Sequence, residues 1–220
     1  SPLRGPNQWP GFLPDMQEKS MAYFHHAHEV ANHLMRGFAL GLGLDENSFL
    51  QNASRPLSRA SYVSYPAHPE DSPEDLFGVG PHTDFGVLTV LCQDSLGGLQ
   101  VQDVHGAWIE ATPIEGTLIV NVGDLLTRWT GGASRSTPHR VVNLSGQERL
   151  SLVLAYDPDP ETMIDARDVC GANAAANGSR ISSSTVLNSL SLQPRGTGTL
   201  QIASSVAESP SPVYGQRSAS

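Results

Sequence analysis

Hydrophobic residues recur at two different spacings along this chain, and the change of spacing divides it. From Asp15 they are three and four residues apart, which predicts a helix of roughly seven turns. Asp15 is the candidate N-cap, and Gly41 and Gly43 are predicted to end the helix. A shorter helix could follow within residues 45–53. The apolar stripe of the long helix comprises Met21, Phe24, Ala31, Leu34, Met35, Phe38 and Leu42.

After Arg55 the spacing drops to two, which is typical of strands with alternate side chains on one face. Gly-Gly pairs at 97–98 and 131–132 predict tight turns. Many short strands without intervening helices favour a mainly β sandwich or jelly roll with flanking helical structure over a Rossmann sheet. The runs are 59–65, 76–81, 86–92, 98–103, 117–122, 139–144 and 149–156.

Composition adds boundaries to this pattern. Residues 1–14 are rich in Pro and Gly, and residues 171–220 are dominated by small and polar residues without a sustained period. We therefore expect three parts: an arm and helical segment over 1–55, a β domain over 56–160, and a largely disordered tail over 161–220.

Charge and cysteine content exclude several classes of function. The net charge is −9 and Lys19 is the only lysine, so the chain lacks the basic surface that nucleic acids or anionic membranes require. No apolar stretch approaches the roughly 20 residues of a membrane span. Cys92 and Cys170 are too few for a disulfide framework, which favours a reducing, cytoplasmic compartment.

His82 and Asp84 stand two residues apart just before the apolar run 86–92. On a strand they would project to the same side of one strand end, where an imidazole and a carboxylate can bind a divalent metal. Two ligands hold iron poorly, so a third from a distant strand is needed. Taken alone, a solvated pair at a strand end is the simpler interpretation.

A third ligand candidate is His139, which enters another apolar strand directly after Pro138. A satisfied core or edge histidine is the alternative. Downstream, Arg149 and Ser151 alternate with leucines and therefore share one strand face. A guanidinium beside a hydroxyl suits the far carboxylate of a small diacid.

Two other groups of histidines are weaker candidates. His68 and Glu70 lie in a loop broken by prolines, with no strand to orient them. The remaining group is interpreted as part of the polar face of the long helix: His25, His26, His28 and His33.

These motifs together resemble the iron(II)- and 2-oxoglutarate-dependent dioxygenases of the isopenicillin N synthase-like group. The resemblance is carried by His-Thr-Asp, Gly-Gly-Leu-Gln-Val, Asn-Val-Gly-Asp, Ser-Thr-Pro-His-Arg-Val and Arg-Leu-Ser between Gly78 and Asp157. It extends more weakly over roughly residues 1–160. It implies a double-stranded β-helix, or jelly roll, with iron at one mouth, which would make 56–160 the catalytic domain.

The resemblance also implies roles for individual residues. His82, Asp84 and His139 would ligate Fe(II), while Arg149 and Ser151 would bind the distal carboxylate of 2-oxoglutarate.

Weaker assignments follow from the same resemblance. Tyr65 matches a position that commonly hydrogen-bonds the co-substrate, with a packed strand aromatic as the alternative. Three more residues are candidates for the substrate pocket, with core or turn positions as the alternative: Phe85, Asn121 and Trp129. The implied reactants are 2-oxoglutarate, O2 and a small organic substrate, which is hydroxylated, desaturated or cyclised with release of succinate and CO2.

Two features depart from the family pattern. Its members normally have more chain before the Gly5–Pro10 segment and end in a helix that covers the pocket, and we expect both to be lacking here. Two alternatives therefore stay open: an iron oxidase of the same fold that does not use 2-oxoglutarate, and a truncated, non-catalytic binding protein. Sequence alone leaves the oligomeric state and the prime substrate undetermined.

Overall fold

The computed structural model describes residues 5–67, 77–143, 145–170, 181–182 and 199–203. The helices are α1 (Met16–Gly41), α2 (Asp124–Trp129) and α3 (Arg167–Cys170), with a 3-10 turn at Leu50–Asn52. The strands are β1 (Arg59–Tyr65), β2 (Val79–His82), β3 (Leu88–Gln93), β4 (Leu99–Gln102), β5 (Trp108–Glu110), β6 (Ile119–Val122), β7 (His139–Val141), β8 (Arg149–Tyr156), β9 (Met163–Ile164), β10 (Ile181–Ser182) and β11 (Thr199–Ala203). Across these ranges, no helix has the length and apolar character that crossing a membrane requires.

Helix α1 confirms the prediction made from the apolar stripe. Residues spaced by three and four, including Phe24, Ala31 and Met35, are buried in the main core. The helix ends where Gly43 adopts a left-handed backbone with φ of 73°. There the amides of Gly43 and Leu44 donate to the last free carbonyls, as in a Schellman motif. The glycine stop therefore fixes the end of the helix.

Nine of the strands form two antiparallel sheets between which the chain alternates, and β9 pairs with β10 in a separate two-stranded sheet. The larger sheet has the strand order β11-β1-β8-β3-β6, and the smaller has the order β2-β7-β4-β5. Successive strands β2, β3 and β4 lie in the smaller, the larger and again the smaller sheet. This alternation is that of a jelly roll, which confirms the predicted fold class.

Two buried clusters show how the layers pack. Val153 of β8 lies with Tyr65 and Val141 between the two sheets. Leu154 and Tyr156 of the same strand belong to the cluster that packs against α1. Because side chains of a strand alternate between its faces, β8 has one face toward the space between the sheets and one toward the helix.

Three details differ from the sequence-based predictions. The expected helix within 45–53 is only the 3-10 turn at its end. The expectation of no helices among the strands was wrong, because α2 interrupts them. This helix has six residues, too few to show a helical period, and it is stabilised by burying Leu125, Leu126 and Trp129. The short edge strand β5 was also not predicted.

The C-terminal part is described only in segments. Strand β9 and helix α3 continue directly from the β domain, and β11 pairs with β1 in register from Arg59 with Ala203. Apart from β10, which pairs with β9, the rest of the predicted tail lies outside the described residues, as do His68 and Glu70. The three-part division of the chain stays a prediction.

His28 on α1 couples stability to pH. It packs against the Tyr156 ring with 5.0 Å between ring centroids, and burial lowers its pKa from 6.5. The unfolded chain therefore binds a proton at a pH where the folded chain does not. We expect the free energy of unfolding to fall as the pH drops below about 6.5, until the folded form is protonated too.

Urea denaturation between pH 5 and 8 measures this effect. His28→Gln should flatten the dependence, because the group that titrates is removed. His26→Gln, on the exposed side of the same helix, is the matched control and should follow the parent. Identical pH curves for His28→Gln and the parent would show that His28 is not the coupled group.

Candidate metal centre and carboxylate site

The first candidate site lies where the chain crosses from the smaller to the larger sheet. Strand β2 ends at His82, and β3 begins at Leu88. The expectation that His82 and Asp84 project from one strand end is therefore wrong, since Asp84 lies in the crossover. The chain must leave one sheet here to join the other, so the carboxylate is oriented by the loop.

Helix α2 holds this crossover through backbone hydrogen bonds. The amide of Asp124 donates to the carbonyl of Asp84 at 2.7 Å, and that of Leu125 donates to the carbonyl of Phe85 at 3.2 Å. These are amides of the first helical turn, which have no acceptor within the helix. The position of Asp84 thus depends on the start of α2.

The two candidate histidines face each other across neighbouring strands. His82 of β2 is paired with His139 of β7, and their ring centroids are 4.2 Å apart. Asp84 completes the group: its Oδ1 lies 3.9 Å from Nε2 of His82 and 3.6 Å from Nε2 of His139. All three ligand atoms lie within 4.8 Å of one another. Two strands and a crossover therefore bring together the residues that the sequence singled out.

The surroundings of both imidazoles prepare them as ligands. Nδ1 of His82 lies 2.8 Å from the carbonyl of Gly80, and Nδ1 of His139 lies 3.1 Å from that of Thr137. Since a carbonyl only accepts, each Nδ1 carries a proton, so in the neutral form of each ring the lone pair lies on Nε2, the nitrogen near Asp84. Burial lowers the pKa of His82, which favours the neutral form that metals bind.

The second site lies on the inner face of β8. Arg149 is completely buried, with Nε donating to the carbonyl of Gly97 at 2.5 Å and Nη2 to Oε1 of Gln93 at 3.3 Å. Its Nη1 and the buried Oγ of Ser151 have no hydrogen-bond partner within the described part of the chain. Buried polar groups are rarely left unpaired, so this pair indicates a place for an acceptor such as a carboxylate.

Tyr65 connects the two sites. Its ring lies under the Arg149 guanidinium, 4.7 Å from ring centroid to Cζ, and packs in one cluster with Val141. Val141 and His139 are both buried and share a face of β7. The pKa of Tyr65 is raised by burial, an effect that Arg149 partly opposes. Arg149 and the candidate metal ligands therefore face the same space between the sheets.

The remaining candidates lie in different environments. Phe85 is 40% exposed next to Asp84, and Nδ2 of Asn121 lies 3.5 Å from Oδ2 of Asp84. Trp129 packs edge-on against Phe49 in the core beside α1, with 5.0 Å between centroids.

Sequence reasoning missed the residues that hold Arg149. Gln93 ends β3 and Gly97 lies in the turn that follows, with a φ of 77°, a left-handed backbone. The Gly-Gly pair signalled the turn, but no local pattern signalled its contact with a strand more than 50 residues away.

On the opposite face of β7, the residue after His139 is firmly held. The Arg140 guanidinium lies 4.3 Å from the ring centroid of Trp108 and 5.2 Å from that of Phe77. Its Nε donates to Oε1 of Gln100 at 2.8 Å. Stacking on aromatic faces and a hydrogen bond keep this side chain away from the space between the sheets.

Comparison with known proteins identifies the family. Residues 54–158 match the model of the 2OG-Fe(II) oxygenase superfamily. A 2-oxoglutarate-Fe(II) type oxidoreductase, hxnY, from Emericella nidulans is 40% identical over 162 residues, covering 71% of this chain and 46% of that protein. The homoarginine-6-hydroxylase 2-ODD-C23 of Glycine max is 34% identical, covering 80% and 55%.

Solved structures of similar proteins support the same family. A full-length Neurospora crassa protein in complex with alpha-KG superposes with a TM-score of 0.78 at 32% identity, covering 84% of this chain and 61% of that one. Fold, site and relatives define a non-haem iron oxygenase domain, and the chain belongs to the 2OG-Fe(II) oxygenase superfamily. It spans about half the length of the curated relatives it matches.

The residues present fit the groups that this family uses. Two imidazoles whose Nε2 atoms lie near one carboxylate match the 2-His-1-carboxylate set of non-haem Fe(II) sites. The unpaired Nη1 of Arg149 and Oγ of Ser151 offer donors of the kind that the distal carboxylate of 2-oxoglutarate needs.

The close approach of α2 to the crossover leads to a test. A Cβ added at Gly123 would collide with the carbonyl oxygen of Gly86 and would lie 3.1 Å from that of Asp84. We expect Gly123→Ala to displace Asp84, to weaken Fe(II) binding on the order of tenfold, and to lower the free energy of unfolding by about 1–3 kcal/mol. Anaerobic Fe(II) titration and urea denaturation measure these effects.

Gly37→Ala is the matched control. This position on α1 has open space around it, so the variant should bind Fe(II) like the parent and gain up to about 1 kcal/mol of stability. Unchanged Fe(II) affinity in Gly123→Ala would show that α2 does not position the carboxylate.

Proposed function

We propose that this chain carries the catalytic centre of an Fe(II)- and 2-oxoglutarate-dependent oxygenase that acts on a small organic molecule. In the hydroxylation form, substrate R–H, O2 and 2-oxoglutarate give R–OH, succinate and CO2. The observation that carries the proposal is the shared space between the sheets. One wall holds the three-residue metal cluster, and the other holds a buried guanidinium with an unpaired donor.

Each residue has a defined part. His82, Asp84 and His139 hold Fe(II), which when bound supplies the redox chemistry for activating O2. Arg149 and Ser151 bind the distal carboxylate of 2-oxoglutarate and so orient its 2-oxo acid end toward the metal. Tyr65 supports the guanidinium with its ring. The apolar residues packed around Tyr65, including Leu91 and Leu99, line the space between the sheets.

The other candidates take supporting parts in this proposal. Asn121 steadies Asp84 through its amide, and Phe85 borders the open side of the metal cluster. The burial of Trp129 against Phe49 favours a packing role over a place in the substrate pocket.

The proposal extends to the organisation of the chain. We assign catalysis to 56–160, with 1–55 as its helical support and 161–220 as a tail, and the family match over 54–158 supports the first assignment. The relatives include a homoarginine hydroxylase, a validamycin A dioxygenase and a Neurospora crassa protein bound to alpha-KG and thymine, which supports a small polar substrate. Half-buried Cys92, a free thiol, supports a reducing, cytoplasmic setting.

Anaerobic titration tests the co-substrate site. Fe(II) and then 2-oxoglutarate are added to the protein, and the visible charge-transfer absorption of the iron–keto acid complex is followed. We expect a saturable band in the parent. In Arg149→Ala the dissociation constant for 2-oxoglutarate should rise roughly tenfold to a hundredfold, because a charge-assisted hydrogen-bond pair is lost.

Ligand substitutions test the metal centre. Replacing His82, Asp84 or His139 by Ala should abolish Fe(II) binding in equilibrium dialysis and iron-dependent succinate formation, because two ligands hold iron weakly. His105→Ala, at an exposed loop, is the control and should behave as the parent. Turnover at the parent rate in any ligand variant would refute the assignment.

The same data separate the alternatives. Fe(II) binding without a 2-oxoglutarate band, together with turnover independent of the co-substrate, would favour an iron oxidase of this fold. Absence of Fe(II) binding would favour a non-catalytic binding protein.

A further inference from the structure

Arg149 is surrounded by neutral acceptors. Its two hydrogen bonds go to the Gly97 carbonyl and the Gln93 side-chain amide, neither of which carries charge. None of the ion pairs found among the described residues involves Arg149. A buried guanidinium without a counter-ion is costly, so the site favours binding of an anion.

The side-chain amide of Gln93 has one orientation available. Its Nε2 donates to the carbonyl of Ala111 at 2.9 Å. Because a carbonyl only accepts, a flipped amide would lose this bond, and Oε1 must face Nη2 of Arg149. Gln93 is paired with Ser151 between β3 and β8, so it stands beside the unpaired hydroxyl. The amide therefore fixes the guanidinium at the place where an incoming carboxylate would meet both donors.

The nearby carboxylates are held away from Arg149 by backbone amides. Asp94 accepts from the amides of Leu150 at 2.6 Å and Leu96 at 3.0 Å. Glu110 accepts from the amide of Gly98 at 2.7 Å. The carboxylates of Asp94, in the turn after β3, and Glu110, at the end of β5, thus hold backbone amides, and the oxygens that accept from the guanidinium are neutral.

We propose that Gln93 is a positioning residue that determines selectivity for dicarboxylate 2-oxo acids, because it orients Arg149 without neutralising it. The inference rests on the proposed function, since it assumes that Arg149 receives the distal carboxylate. A carboxylate at position 93 would pair with the guanidinium internally and compete with the co-substrate. An apolar side chain there would leave the charge but lose the orientation.

Binding of two 2-oxo acids of equal chain length tests this. The dissociation constants of 2-oxoglutarate and 2-oxopentanoate, which lacks the distal carboxylate, are measured anaerobically with Fe(II) by calorimetry. In Gln93→Glu we expect the constant for 2-oxoglutarate to rise at least about tenfold and that for 2-oxopentanoate to stay within about twofold. Gln93→Met should give a smaller rise of about threefold, again only for 2-oxoglutarate.

Gln100→Glu is the matched control. Gln100 makes the equivalent amide contact with Arg140 on the outer side of the smaller sheet, at 2.8 Å, and the variant adds the same charge. It should leave both dissociation constants unchanged.

The outcomes distinguish this inference from the proposed function. Equal weakening of both acids in Gln93→Glu, or no weakening of either, would overturn the role of Gln93. If that variant does not fold, Gln93→Met decides: a loss confined to 2-oxoglutarate supports the role, and an unchanged constant refutes it. If the parent binds both acids equally, or if Arg149→Ala binds 2-oxoglutarate normally, the carboxylate site itself is wrong, and the inference falls with it.

Discussion

The crossover between the two sheets is the constraint on which the metal centre depends. Residues 83–87 must carry the chain from β2 to β3, and the hydrogen bonds along this path are made by the start of α2 and the end of β8. The amide of Val87 donates to the carbonyl of Tyr156, and the amide of Asp124 donates to that of Asp84. The carboxylate of Asp84 is held in place because this segment is hydrogen-bonded to both α2 and β8. A loop without these bonds would not fix its position.

Two kinds of support meet in the space between the sheets. At the candidate metal cluster, backbone carbonyls accept from Nδ1 of His82 and His139, which orients both rings with Nε2 near Asp84. On the other side, neutral acceptors hold Arg149, and no carboxylate in the described part of the chain forms an ion pair with it. One site is preorganised by fixing protons and the other by withholding a counter-ion. In both sites the fold holds the side chains in place before a ligand binds, which lowers the free-energy cost of ordering them on binding.

Much of this could be predicted from the sequence because the signals are local. The spacing of Phe24, Ala31 and Met35 and the left-handed Gly43 define α1, and alternation along β8 places Arg149 and Ser151 on one face. Helix α2 was missed because six residues hold too little periodicity. The true position of Asp84 was missed because the end of β2 is set by pairing with β7, which is a non-local interaction.

The contacts that hold Arg149 could not be predicted from the sequence for a similar reason. Gln93 and Gly97 are separated from Arg149 by more than 50 residues and join it only through the β3–β8 pairing. Nothing in the residues next to Gln93 distinguishes a solvated amide from one that holds a buried guanidinium. Contacts of this kind are a property of the sheet rather than of any segment.

The fixed position of Arg140 beside His139 has a consequence for which mutations this protein can tolerate. The two side chains occupy opposite faces of β7, with the guanidinium held between the rings of Trp108 and Phe77. A deletion or insertion of one residue before β7 would exchange the faces and place a permanent positive charge where the candidate metal cluster has the imidazole of His139. Selection should therefore remove changes in the length of the 130–138 connection.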